Sequence, residues 1–122
     1  MIGQSFGGIL ALDLARRYPD RVRKVVTLCS PVCVPITTPV APLVHLFKPF
    51  YDTDWLLRHS AAPRTSGAPV IALHTEEDGI VDWRECLREP LPDCENVRVT
   101  DAHVTIGSSP SAQAAIAWAL ST

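Results

Sequence analysis

No block of lysine and arginine runs through these 122 residues and the formal net charge is −2, so the chain has no electrostatic footprint for nucleic acid or an anionic membrane surface. No uninterrupted apolar run approaches the length that crosses a bilayer, and the first residues lack the charged-then-apolar order of an export signal. The expectation is a chain without a transmembrane segment, resident in the cytoplasm. The four cysteines, Cys29, Cys33, Cys86 and Cys94, show no two-residue spacing of the kind that marks zinc or redox sites. They read as buried or idle thiols rather than metal ligands, with a Cys86–Cys94 bridge across a proline-containing loop as the alternative. A glycine pattern for dinucleotides or a phosphate loop is also missing, as are repeats and low-complexity tracts, and no cofactor is expected.

What is present is 47% hydrophobic and fits one compact core. Met1 and Ile2 look like the end of a buried strand, followed at once by Gly3-Gln4-Ser5-Phe6-Gly7-Gly8 and a helix from Phe6 to Tyr18. In that helix Ile9, Ala11, Leu12, Leu14 and Ala15 form the apolar stripe, while Asp13, Arg16 and Arg17 face water. A buried strand is expected within Val22–Leu28 and another at Val70–His74, closed by the polar turn Glu76-Glu77-Asp78-Gly79. Asp82 to Leu87 suits a short helix, with Asp82 as its cap, and Asn96 to Thr100 a third strand followed by a loop from Asp101 to Gly107. Ser109 and Pro110 start a last helix, whose Ala112, Ala115, Ile116, Ala119 and Leu120 should face the sheet. Between about residues 31 and 66, prolines alternate with large apolar side chains such as Phe47, Phe50, Tyr51 and Trp55. That mixture reads as a cap-like set of short helices over a pocket.

Strands alternating with helices predict an α/β fold with a parallel sheet, in which reactive groups sit just past the carboxyl ends of strands. Ser5, Asp78 and His103 each fall just after an expected strand. Gly3-Gln4-Ser5-Phe6-Gly7 matches G-x-S-x-G, a sharp strand-to-helix turn that presents the serine outward, with glycines required where larger side chains would collide. The competing reading makes Ser5 only a helix cap. Among the acids, Asp78 is favoured over Glu76, Glu77 and Asp82 because it precedes Gly79 at the strand end. His103 is favoured over His74, which lies inside a strand, and over His45 and His59, which lie in the cap-like segment.

GQSFGG, YPDRVRKVVTL, IALHTEEDGIVDW and DAHVTIG together resemble the C-terminal half of the α/β-hydrolase family, over nearly the whole chain. The likeness is to lipase- and esterase-type serine hydrolases, which carry nucleophile, acid and histidine in this chain order. It implies a partial α/β-hydrolase fold of about three strands plus a stub of the nucleophile strand, with Ser5 as nucleophile, Asp78 as acid and His103 as base. Gly3 and Gly7 then flank the nucleophile elbow, and the backbone N–H of Phe6 serves as one oxyanion donor. The second donor comes, in the family, from a loop that precedes the nucleophile strand by many residues. The expectation is therefore a fragment of a longer hydrolase with low or no activity alone, and with an exposed sheet edge through which it could self-associate. The implied substrate is a small-molecule carboxylic ester bearing a hydrophobic group. A thioesterase, acyltransferase, amidase or perhydrolase uses the same three groups, and a non-catalytic remnant or partner module is the reading outside enzymes. One departure stands out: Val104-Thr105-Ile106-Gly107 follows the histidine where many members have a glycine or a bulky aromatic.

Overall fold

The computed structural model describes residues 1–32, 67–88 and 91–122. Nearly all of the expected cap-like segment, with His45, His59 and Cys33, lies outside the described residues. Within them, four parallel strands form one sheet in the order β1-β2-β3-β4: β1 is Ile2–Gln4, β2 Val25–Leu28, β3 Val70–His74 and β4 Cys94–Arg98. Helix α1 spans Phe6–Arg17, and helix α2 spans Pro110–Ser121.

Alternation along the strands splits the core into two layers, as a parallel sheet covered on both faces requires. Val25 and Val70 join Ala11, Leu12 and Ala15 under α1, while Val26, Leu28, Ile71 and Leu73 join Ala112 and Ala119 under α2. Both middle strands are buried throughout, which explains their unbroken apolar sequences. By contrast β1 is an edge, and Ile2 on it is 48% exposed.

The second strand lies inside the expected run, at Val25–Leu28, after a turn of 3-10 helix over Pro19–Arg21. Several expectations need correction. The last strand starts two residues early, at Cys94, which pairs with Val70, so β4 ends at Arg98 with only Val99 N–H still bonded to His74 O at 2.8 Å. Leu14 and Leu120 are not on the sheet-facing stripes but exposed, rotated away from the neighbours that are buried one turn apart. Asp13 is the reverse case. It is buried because Arg16 and Arg17, three and four residues on, reach back to its carboxylate at 2.6 and 2.7 Å.

The expected caps are in place: Ser109 Oγ accepts from Ala112 N–H and Asp82 from Arg84 N–H, although the short helix after Asp82 is a 3-10 turn over Trp83–Cys86. Cys86 and Cys94 are both free thiols, so the bridge between them does not form.

Candidate active site

Parallel strands in chain order carry β1, β3 and β4 to one rim, where Ser5, Asp78 and His103 follow their carboxyl ends. Ser5 follows β1 with a positive φ, 51° at ψ −125°, which costs a non-glycine residue on the order of 1–3 kcal/mol. The surroundings enforce it. Ser5 N–H donates to Leu28 O at 2.8 Å, prolonging the ladder to β2, and Gly8 N–H donates to Ser5 O at 3.1 Å as α1 begins. The Ser5 side chain makes no cap hydrogen bond to that helix, which removes the alternative reading of it as a cap.

The glycines divide the steric demand differently from the motif. A Cβ at Gly3 would stand 2.2 Å from Gly7 O, and one at Gly8 would stand 1.9 Å from Ser30 Oγ, so both positions exclude a side chain. Gly7 itself faces open space. Its backbone is what Gly3 must avoid.

Asp78 and His103 meet directly, with His103 Nδ1 2.6 Å from Asp78 Oδ2. Both side chains are buried, that of Asp78 completely. The other carboxylate oxygen accepts from Ile80 N–H and Val81 N–H, each at 2.8 Å, which is what the turn at Gly79 accomplishes. Burial pushes the Asp78 carboxyl upward, but the Val81 N–H, the His103 ring and the Ile80 N–H together outweigh it and hold the group below the usual carboxylate range. An ionised Asp78 has only acceptors, so the facing Nδ1 carries the hydrogen and a neutral ring keeps Nε2 as a base.

Three residues not singled out from the sequence, together with Cys29, complete the setting. Thr75 Oγ1 donates to Asp101 O at 2.5 Å and joins the end of β3 to the His103 loop. The Asp101 carboxylate accepts from Ala102 N–H at 2.9 Å and from the hydroxyls of Thr105 and Ser111, which closes that loop on itself. Gln4 Nε2 donates to the backbone oxygen of His103 at 2.7 Å, tying the histidine to the residue before Ser5. Cys29, just past β2, has φ 46° and is fully buried, with its Sγ, the Asp78 carboxylate and the His103 ring within 4.8 Å of one another. Burial, then the Asp78 charge, push the Cys29 thiol up to about 12, so it is a neutral neighbour of the pair. These three donor types could hold a metal ion, but Asp78 and His103 already engage each other at 2.6 Å.

The departure after the histidine also has its explanation. Ile106 is fully buried in the α2-side core and anchors the loop, while Val104 points outward. His74, by comparison, is a packed residue stacked on Trp83 at 5.8 Å, and its burial lowers its pKa. No sequence signal marks Gln4 or Thr75, because their partners are backbone oxygens 99 and 26 residues away.

A family profile described as the alpha/beta hydrolase fold matches residues 1–53. No match emerges among curated proteins. Among solved structures, the esterase domain of a Rhodothermus marinus protein superposes with a TM-score of 0.66 at 18% identity, over 98% of this chain and 58% of that one. Alpha/beta hydrolase domain-containing protein 10 from mouse gives 0.64 at 18% identity, over 96% and 58%, and a Paleococcus ferrophilus monoacylglycerol lipase gives 0.57 at 18%, over 98% and 67%. The chain thus spans about three-fifths of the length of the first two structures.

Proposed function

We propose, from the premise that this chain carries part of the α/β-hydrolase fold, that it is a serine hydrolase for carboxylic esters, with Ser5, His103 and Asp78 as its triad. The observation that carries the reading is the buried 2.6 Å contact between His103 Nδ1 and the Asp78 carboxylate, at the same rim as a serine in a strained strand-to-helix turn. The esterase and lipase among the similar structures support an ester as substrate class.

A serine hydroxyl is a poor nucleophile until a base takes its proton. In the proposed reaction Ser5 Oγ attacks the ester carbonyl while His103 Nε2 accepts that proton, and Asp78 stabilises the imidazolium through Nδ1–H. The tetrahedral oxyanion is met by the backbone N–H of Phe6, one residue past the nucleophile at the start of α1. Collapse breaks the bond to the leaving alcohol, which takes the proton from Nε2 and leaves an acyl group on Ser5. Water, deprotonated by the same nitrogen, then releases the acid and restores the serine.

Incubation with a fluorophosphonate probe followed by peptide mapping tests this. The expected result is a covalent adduct on Ser5, lost in Ser5→Ala, with melting unchanged because the hydroxyl caps nothing. Folded protein that stays unlabelled at Ser5 both alone and when extended upstream sinks the reading and leaves a non-catalytic module in its place. A panel of oxygen esters, thioesters and amides of graded acyl length then separates esterase from the other acyl-transfer chemistries.

A further inference from the structure

Gln4 is the residue between the two halves of the candidate site. Its backbone belongs to β1, in register with Leu28 of β2, so the root of the side chain is fixed by the sheet. Its amide nitrogen donates at 2.7 Å to the backbone oxygen of His103, a partly buried bond across 99 residues of sequence. Its amide oxygen packs against the same loop four residues on. A Cβ at Gly107 would stand 2.7 Å from Gln4 Oε1, so the glycine is needed to let this amide in. One planar group, rooted next to Ser5, therefore touches the histidine loop at two points.

We infer that Gln4 is a positioning residue that sets the placement of His103 relative to Ser5, an inference resting on the triad proposed above. The rest of the loop's bonding holds it to other places: Thr75 ties it to β3, and Asp101, Thr105 and Ser111 tie it to itself and to α2. Asp78 likewise holds the imidazole from the turn after β3. Among these bonds, the Gln4 amide alone reaches from the nucleophile's own strand to the histidine residue. Proton transfer from hydroxyl to imidazole depends steeply on that separation, since misplacing a reacting group by about an ångström costs on the order of a hundredfold in rate.

Two variants disturb the contact from opposite sides. Gln4→Met keeps side-chain length and removes the donor. Gly107→Ala leaves the elbow untouched and presses a methyl group on the far end of the Gln4 side chain, which can yield without unfolding the chain but not without moving the amide. For both, the rate of fluorophosphonate labelling at Ser5 and kcat for a small ester should fall about ten- to a hundredfold, with KM within about threefold of wild type. A merely structural glutamine would lower thermal stability and leave kcat per folded molecule unchanged, and that result overturns the inference. Should Gln4→Met fail to fold, Gly107→Ala decides: an unchanged kcat overturns the role, a fall at constant KM supports it. Wild-type protein that is itself unlabelled, both alone and when extended upstream, overturns the triad and the role of Gln4 with it, whereas labelled wild type with full-speed variants overturns only the latter.

Discussion

The elbow after β1 and the loop after β4 hold their key residues by opposite means. Ser5 is held chiefly by backbone, with a positive φ, two main-chain hydrogen bonds and Gly3 packed against the Gly7 backbone, and with no cap bond from its side chain. His103 is held by side chains, through Asp78, the Gln4 amide, the Thr75 hydroxyl and the Asp101 carboxylate. A turn defined by sterics tolerates no added volume where its atoms close on one another, as at Gly3. One defined by side-chain hydrogen bonds fails where a donor or acceptor is lost or displaced, as a methyl group at Gly107 would displace the Gln4 amide.

Asp78→Asn should have the largest effect on the loop side, because an amide in that position lets the ring adopt the wrong tautomer. Esterase turnover should drop on the order of 10³–10⁴-fold with the fold retained, as measured by initial rates beside circular dichroism. Gly3→Ala attacks the elbow. A methyl group 2.2 Å from Gly7 O meets backbone that cannot swing aside, and urea unfolding should register a loss of about 3 kcal/mol. Thr75→Val preserves shape and deletes the hydroxyl that the Asp101 carbonyl receives, for a loss of about 1–2 kcal/mol in the same assay. An Ala or Val substitution at Gly7, where there is open space, should cost far less than Gly3→Ala, and an equal cost would break the contrast drawn here.

The smallest effect is on pH. Asp78 lies below its unfolded value of about 4, so its contribution to stability is complete above about pH 4 and disappears as the pH falls through the native value. Wild type should therefore lose more stability than Asp78→Asn between pH 7 and pH 3 in denaturant titrations.

The same contrast explains what was legible in the sequence. The elbow could be read because its sterics are written locally, as Gly3 and Ser5 between an apolar strand and an amphipathic helix, although the open space at Gly7 and the demand at Gly8 could not. Strand–helix alternation disclosed the parallel sheet, and the position of Asp78 before Gly79 matched the turn that feeds its carboxylate two N–H groups. The Gln4 and Thr75 contacts stayed hidden because each pairs an ordinary polar side chain with a distant backbone oxygen, and such pairs leave no composition or period to detect. Cys29 is the buried thiol the sequence suggested, and only its place beside Asp78 and His103 stayed hidden, because they come from the turn after β3 and the loop after β4.

The strand order β1-β2-β3-β4 has a consequence for synthesis. A ribosome delivers the neighbours in the order in which they pair, so each new strand can add to a growing margin without displacing an earlier one. The imidazole of His103 comes from the loop after β4, and so emerges after the four strands of the described sheet. In the proposed triad, therefore, the hydroxyl at position 5 gains its base only once that loop has been made.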